Sequence, residues 1–493
     1  MMPTRSHQRR AVGLRTVLAA LALALALASG ACAGGSANGP ARPQDLRIAV
    51  IGAGASGLTA AYTLKKLGYD NVTVYEALPQ VGGKVSSYAH DKHVFELGAV
   101  MAMADYTTVL GLAHELGIRL QDFQQEWTIH GRDGQHHDVK SYLSAKHGLR
   151  HSLEALHRME HLALKYPHLH HANLGADPDL YLPFAAYARK HGLEALTDGF
   201  KPFIVGCGYG YYEEVPALYV IKLARMMENT AVRSALAGIS PGAAPFTRVF
   251  PEGFQKLWEA VAARLHVRLN HRVTRIVRKP LGPDQWNIFI TAAGSTAAYD
   301  AVVISSPLDK ALQFLDASPE ERDLFSRIQT YQYFVTVFEG DGLPTKEAVV
   351  YETATAPESI GHVIVLHHKY EDARIWTAYQ LARKAQGPEE VTRILRDDVM
   401  SLGGRVDTVI RQQAWSYFPH VKTEDLQAGF YERMEALQGS QGTYYVGAIM
   451  NFETVEHTAA YAQRLMLKHF QARAPAAGRA PPDVPGNAVS ARR

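Results

Sequence analysis

Arg47-Ile48-Ala49-Val50-Ile51 followed by Gly52-Ala53-Gly54-Ala55-Ser56-Gly57 is the stretch that decides how the chain folds. The first five residues are a short apolar run of the kind that forms a buried strand. Three glycines come next, and Leu58 to Leu67 then carries apolar residues three and four apart, the spacing of a helix. Gly68 ends that helix, and Val72-Thr73-Val74-Tyr75 is a second strand closing at Glu76. Strand, glycine turn, helix, strand and acid in this order predict a dinucleotide-binding unit. Gly52 permits the tight turn, Gly54 lets the backbone approach a pyrophosphate, and Gly57 lets helix and strand pack closely. The start of the helix offers unpaired N–H groups and a partial positive charge to the phosphates, so Ala53, Ala55 and Ser56 count with the glycines as cofactor-contacting positions. Glu76 is expected to accept hydrogen bonds from the adenosine ribose.

Four further segments extend this unit. Val81-Gly82-Gly83-Lys84 follows Glu76 after a short gap, and Phe95-Glu96-Leu97-Gly98-Ala99 comes next. Phe250-Pro251-Glu252-Gly253-Phe254 leads a helix through Leu257, Val261 and Leu265 into a strand centred on Val273; Tyr444-Tyr445-Val446-Gly447-Ala448 lies near the C-terminus. Taken together, the series resembles the amine-oxidase-like flavoproteins, and that resemblance implies FAD rather than NAD. It implies a second glycine motif at Gly82 and Gly83, with Lys84 where Arg is usual; the charge is kept and the planar fork lost. It further implies cofactor contacts at Gly98 and Ala99, a backbone contact to the adenine at Val273, and close approach to the flavin at Gly447. The acid usual beside the ribityl chain is Ala448 here. No cysteine stands near this last motif for covalent attachment, so FAD is expected to be held noncovalently.

The expected fold is α/β, amine-oxidase-like: a discontinuous Rossmann-type FAD-binding domain plus a mixed-sheet and helical substrate domain. Residues 46–106, 246–310 and 435–472 are assigned to the FAD-binding domain. Residues 107–245 are read as a helical part of the substrate domain, and 311–434 as its mixed sheet. Of the 493 residues, 47% are hydrophobic and 20% charged, with a net charge of +3 and no long basic run in the folded part. That balance gives nucleic-acid binding no support.

Residues 1–31 read as a secretory signal: Arg5, Arg9, Arg10 and Arg15, an apolar stretch from Val17 to Ala28, then Ser29-Gly30-Ala31. The apolar stretch is too short to cross a bilayer as a helix. Cys32 with the small residues after it resembles the lipid-attachment site of bacterial lipoproteins, although Ser29 stands where Leu is usual. Plain cleavage after Ala33 is the other reading. An exported chain, periplasmic or anchored to a membrane through Cys32, is therefore expected, and Arg9-Arg10 is a hint of twin-arginine export. Residues 32–45 read as a linker, and 473–493, rich in Ala, Pro, Gly and Arg, as a disordered tail.

Outside the cofactor motifs, the chain resembles the FAD-dependent polyunsaturated fatty acid double-bond isomerases over most of Leu46 to Phe470. The resemblance is carried by Phe95 to Met101, Leu182-Pro183-Phe184, Pro202-Phe203, Gly208-Tyr209-Gly210 and Val215 to Val220. It continues through Gly361-His362-Val363, Tyr417 to Val421, Glu424-Asp425, Ala428 to Glu432 and Gln438-Gly439. It implies a redox-neutral cycle on a small apolar substrate in a dry pocket, with orientation rather than acid–base chemistry supplied by the protein. Phe203, Tyr209, Tyr211 and Tyr212 are candidate pocket residues, although core packing alone also explains such aromatics. In one respect the chain departs from those isomerases. They anchor the substrate carboxylate with a basic residue shortly before the helical domain, where this chain has Gln124-Gln125-Glu126. An ordinary flavin oxidase or dehydrogenase of an amine or another small apolar metabolite is the second reading, and a non-catalytic FAD-binding lipoprotein the third.

Six histidines crowd residues 151–171, and His157-Arg158-Met159-Glu160-His161 even spells a zinc-protease pattern. Nothing else in the chain looks like a protease, and the stretch reads as a solvated helix face with no catalytic metal. Cys207, in an apolar, glycine-rich segment, reads as a small buried residue rather than a nucleophile.

Overall fold

The computed structural model describes residues 45–123, 127–175, 177–227, 247–345 and 348–471. The signal, Cys32, nearly all of the linker and the 473–493 tail lie outside these residues, as do Gln124, Gln125 and Glu126.

Ile48–Ile51 is the middle strand of a five-stranded parallel sheet. Val72–Tyr75 lies on one side with His266–Arg268 beyond it; Ala301–Ile304 lies on the other with Thr443–Tyr445 beyond it. Three separate stretches of chain therefore build one sheet. Ile48, Ala49, Val50, Val302, Val303 and Ile304 are fully enclosed, which is why these strands read as unbroken apolar runs. The helix Ala55–Lys66 packs on this sheet and against the helix Val455–Phe470.

An antiparallel meander of Val273–Gly282, Gln285–Ala292 and Ser295–Tyr299 follows. It is tied down by Arg278, whose buried guanidinium meets Glu321 at 2.7 Å and Asp316 at 2.8 Å. Removing one member of such a buried pair costs about 3–5 kcal/mol.

The second large sheet has seven strands. Its order is Arg405–His420, Gln329–Asp341, Ile375–Ala382, Val363–His367, Ala348–Tyr351, Trp127–His130 and His136–His137. Every residue of Ile375–Ala382 is buried, so both faces of this strand are covered. The segment 107–245, read as helical, is helical over Val139–His147, Leu149–Leu164, Phe184–His191, Glu194–Gly206 and Ala217–Met227. Before those helices it also supplies strands. Trp127–His130 pairs in parallel with Ala348–Tyr351, and Gln121–Phe123 pairs with Thr247–Val249. These runs are too short to show a helical period, and tertiary pairing decides their state.

The helix Glu194–Gly206 reaches the seven-stranded sheet through its glycine-rich end. A Cβ on Gly206 would lie 2.9 Å from Val365; one on Gly208 would lie 2.9 Å from both Tyr333 and Tyr417. A larger residue at either place would force a side chain of the sheet or the backbone here to shift.

Candidate functional site

The turn after Ile48–Ile51 is shaped for a pyrophosphate. Gly52 has φ +105°, a value an L side chain rarely adopts. A Cβ on Gly57 would stand 2.1 Å from the Gly52 carbonyl oxygen, so only glycine lets the helix start this close to the strand. Gly54 caps the helix without a side-chain hydrogen bond, and the first turn has no acid. Its free N–H groups and dipole are thus left to an anion. The Glu76 carboxylate accepts the Ala53 N–H at 2.8 Å and the Leu78 N–H at 2.9 Å. It is held at the mouth of the turn with lone pairs to spare for a ribose.

The other sequence-derived positions gather around this turn. Gly82 bridges to Gly54 and donates its N–H to the Ala53 carbonyl at 2.9 Å. A Cβ on Gly83 would lie 3.1 Å from the Gly54 Cα, so two glycine backbones nearly touch. Gly98 sits against the Lys84 carbonyl, which accepts the Ala99 N–H at 3.1 Å. Gly447, at φ +116°, lies over Ser305, and the Ser305 hydroxyl is 2.8 Å from that of Ser56. The His271 N–H reaches the Glu76 carbonyl at 2.7 Å, and buried Val273 opens the next strand two residues later. Ala448 starts the turn that leads to Asn451. The described residues fit FAD: amides for its diphosphate, a fixed carboxylate for its ribose, and backbone cleared by glycine along its length.

Past Lys84 the character of the site changes. Lys84 Nζ is 2.7 Å from Glu453, an almost fully enclosed carboxylate that also accepts the Phe418 N–H at 2.9 Å. Burial raises the Glu453 carboxyl, opposed by the Lys84 ammonium and the Phe418 amide. The ammonium also lies 5.0 Å from the centre of the Tyr417 ring. Tyr417 stacks on Tyr333 at 5.0 Å and on Tyr209 at 6.2 Å, and Tyr209 meets Phe452 at 5.0 Å.

Cys207 stands among these rings. It has accessible surface, and its burial among these groups pushes its thiol up to about 11. Tyr106, Tyr209, Tyr333, Tyr379 and Tyr417 all have the Cys207 thiol among the groups acting on their hydroxyls. The reading of Cys207 as buried is corrected: it has accessible surface. A thiol held protonated is a poor nucleophile.

The four aromatics singled out in the sequence do not share one cavity. Tyr209 belongs to the aromatic cluster beside Cys207. Tyr212 lines an apolar pocket among the helices with Phe184, Ile204 and Val220. Phe203 packs edge-on against Trp127 at 5.6 Å, and Tyr211 against Tyr331 at 6.3 Å. Sequence reasoning passed over Glu453, Tyr106, Tyr333 and Tyr379. Glu453 carried a faint signal, an acid placed directly after an apolar motif and before the Thr454 helix cap. His157 and His161 are side by side on the exposed face of Leu149–Leu164, their Nε2 atoms 3.0 Å apart. No cluster of three or more His, Cys, Asp or Glu able to hold a metal occurs among the described residues.

Comparison with known proteins identifies the family. The sequence pattern of the flavin-containing amine oxidoreductases matches residues 55–339, more than half of the chain. The chain belongs to the flavin-containing amine oxidoreductases. As a member of that family it is an FAD-dependent oxidoreductase with the α/β architecture described above. A CLA-producing fatty acid isomerase from P. acnes has a similar structure, with a TM-score of 0.77 and 28% identity over 87% of this chain and 99% of that one. Putrescine oxidase shares the fold, with a TM-score of 0.66 and 17% identity over 86% of this chain and 98% of its own. Over 447 residues the chain is 22% identical to an FAD-dependent oxidoreductase of Apiospora sacchari, covering 82% of this chain and 88% of that protein.

Proposed function

We propose that this amine oxidoreductase is a double-bond isomerase of polyunsaturated fatty acids, with noncovalently held FAD. The supporting observation is the aromatic cluster beside Cys207 and Lys84, in which Tyr417 packs on Tyr333 and Tyr209, and Tyr209 on Phe452. An amine substrate brings a cation that needs a carboxylate, and Glu453, which acts on Tyr209 and Tyr417, is already matched by Lys84 and the Phe418 amide. The double-bond segment of a fatty acid, the part that reacts, needs no such partner. The likeness to the fatty acid isomerase across nearly all of that protein's length supports the same reading.

Bound FAD supplies a two-electron acceptor able to give back what it accepts, so a double bond can move without consumption of an oxidant. Gly52 to Gly57, Glu76, Gly82, Gly83 and Gly447 would hold and orient it. Lys84 opposes the effect of burial on Glu453 and holds its carboxyl in place. Tyr209 and its aromatic neighbours would surround the reacting carbons with rings, which favour positive charge developing on the acyl chain. A lining of rings would limit the access of water, which would otherwise trap that charge. Export and an acyl anchor on Cys32 remain part of this proposal, resting on the N-terminal sequence pattern.

The test is to load the purified chain with FAD and supply a panel of polyunsaturated fatty acids in air. Conjugated-diene absorbance should rise with no matching oxygen uptake. Peroxide formation, or flavin bleaching by an amine and not by any fatty acid, would overturn the reading in favour of an oxidase.

A further inference from the structure

Six large hydrophobic side chains are well exposed among the described residues, and three of them lie on one helix: Leu149 at 41%, Leu153 at 43% and Leu164 at 57%. Isolated exposed leucines are ordinary, but a run of them on one face is not. Leu149, Leu153, Leu156, Glu160 and Leu164 follow one another at three- and four-residue spacing along Leu149–Leu164, so they form a single ridge. One residue further round, Arg150, Glu154, His157, His161 and Lys165 form a parallel ridge, every member of it exposed. Its acid, Glu154, bridges to Arg150 at 3.0 Å. The remaining cation of this helix, Arg158, is exposed while bonding the Gly192 carbonyl. The opposite side of the helix, with Ala155, Met159, Leu162 and Ala163, is buried in the core.

An apolar pocket opens beside the leucine ridge. Leu156 and Glu160 belong both to that ridge and to the pocket wall, which Met159, Phe200, Ile204 and Tyr212 continue inward. An apolar ridge, flanking side chains whose cations Arg150, Arg158 and Lys165 outnumber the acids Glu154 and Glu160 by one, and an apolar opening between them suit the surface of an anionic bilayer. Acyl chains would meet the leucines, and headgroup phosphates would meet Arg150 and Lys165. No described helix is long and apolar enough to cross a membrane, so the contact is one of lying on the surface.

We infer that the exposed face of Leu149–Leu164 docks this protein onto anionic lipid bilayers. The contact is independent of the reaction proposed above, because vesicle binding is read without turnover.

The experiment uses the full chain with Cys32→Ser, which removes any acyl anchor at that position. Sedimentation with phosphatidylcholine vesicles, with and without phosphatidylglycerol, is compared for this parent, for Leu153→Glu/Leu164→Glu and for Arg150→Glu/Lys165→Glu. Any binding through the N-terminal residues is common to all three. The leucine pair should lower affinity for anionic vesicles about tenfold or more, with flavin content unchanged. The charge pair should weaken binding to phosphatidylglycerol vesicles alone. In hydrogen exchange, residues 149–165 of the parent should gain protection when anionic vesicles are added. Equal binding by parent and leucine pair, or no protection of that segment, would overturn the inference. So would a dimer of the parent that the leucine pair dissociates while vesicle binding is unaffected; the face would then belong to a second copy of the chain.

Discussion

The nucleotide end of the site and the aromatic cluster beside Cys207 solve different problems with different parts of the chain. At the nucleotide end, function lies in main-chain atoms: the amides of Gly54 to Gly57, the carbonyl of Gly52, and the near contact of Gly54 with Gly83. At the cluster, function lies in side chains brought together from far apart, with Tyr106, Cys207, Tyr333, Tyr379 and Tyr417 on five different elements or turns. The first arrangement recognises a cofactor shared by many proteins and tolerates almost no change of shape. The second would, in the function proposed, face a substrate, and it can vary ring by ring while the fold stays the same.

The sharpest way to break this contrast is at Gly57. Overpacking costs about 1–3 kcal/mol where side chains give way. Here the obstacle is the Gly52 carbonyl, which would lie 2.1 Å from the new Cβ and is fixed by the turn. Gly57→Val should leave the purified protein essentially free of flavin, as read from the ratio of flavin to protein absorbance. Retention of normal FAD would mean that the nucleotide end is less rigid than its geometry indicates.

The same contrast explains what could be read beforehand. Gly52 to Glu76 was legible because a phosphate-binding turn must be local: glycines at fixed spacing, a strand before, a helix after. Ala301–Ile304 was legible because a strand enclosed on both faces has to be apolar throughout. Trp127–His130 was missed as a strand because its partner, Ala348–Tyr351, lies more than two hundred residues away and nothing nearby announces the pairing. The cluster was hidden for the same reason. Tyr209 was picked out as an aromatic in a helical region, but Phe203, Tyr211 and Tyr212 looked identical in sequence and point elsewhere. Only the packing of Gly208 against Tyr333 and Tyr417 distinguishes them.

Glu96, at the border between the two regions, offers a test of intermediate size. Its carboxylate accepts the Ser87 hydroxyl at 2.7 Å and the Phe254 N–H at 2.9 Å. Burial outweighs both and pushes its pKa up from 4.5 to about 7. The folded protein therefore holds a proton that the unfolded chain gives up between these two values. Stability from this group is complete below about pH 4.5 and is lost as the pH rises through 7, a change on the order of 3 kcal/mol. Glu96→Gln keeps the acceptor for Phe254 and removes the titration. In denaturant unfolding, the variant should match the parent near pH 5 and exceed it at pH 8. A parallel pH dependence in the two proteins would show that Glu96 is ionised at no such penalty.

The smallest expected effect is at Cys207, and its smallness is what makes it informative. A thiol raised to about 11 is protonated at neutral pH, so in the function proposed it acts as wall and not as reagent. Cys207→Ala removes a sulfur atom from a residue that already has accessible surface. Stability should change by less than about 1 kcal/mol, flavin content should hold, and turnover should stay within a few-fold of the parent. Cys207→Phe adds bulk among the rings from the same backbone position, with FAD content again unchanged while kcat/KM falls steeply. Only a wall residue gives that pair of results. If alanine abolished turnover with FAD still bound, the sulfur would be a participant in the chemistry, and the cluster would be an active site of another kind.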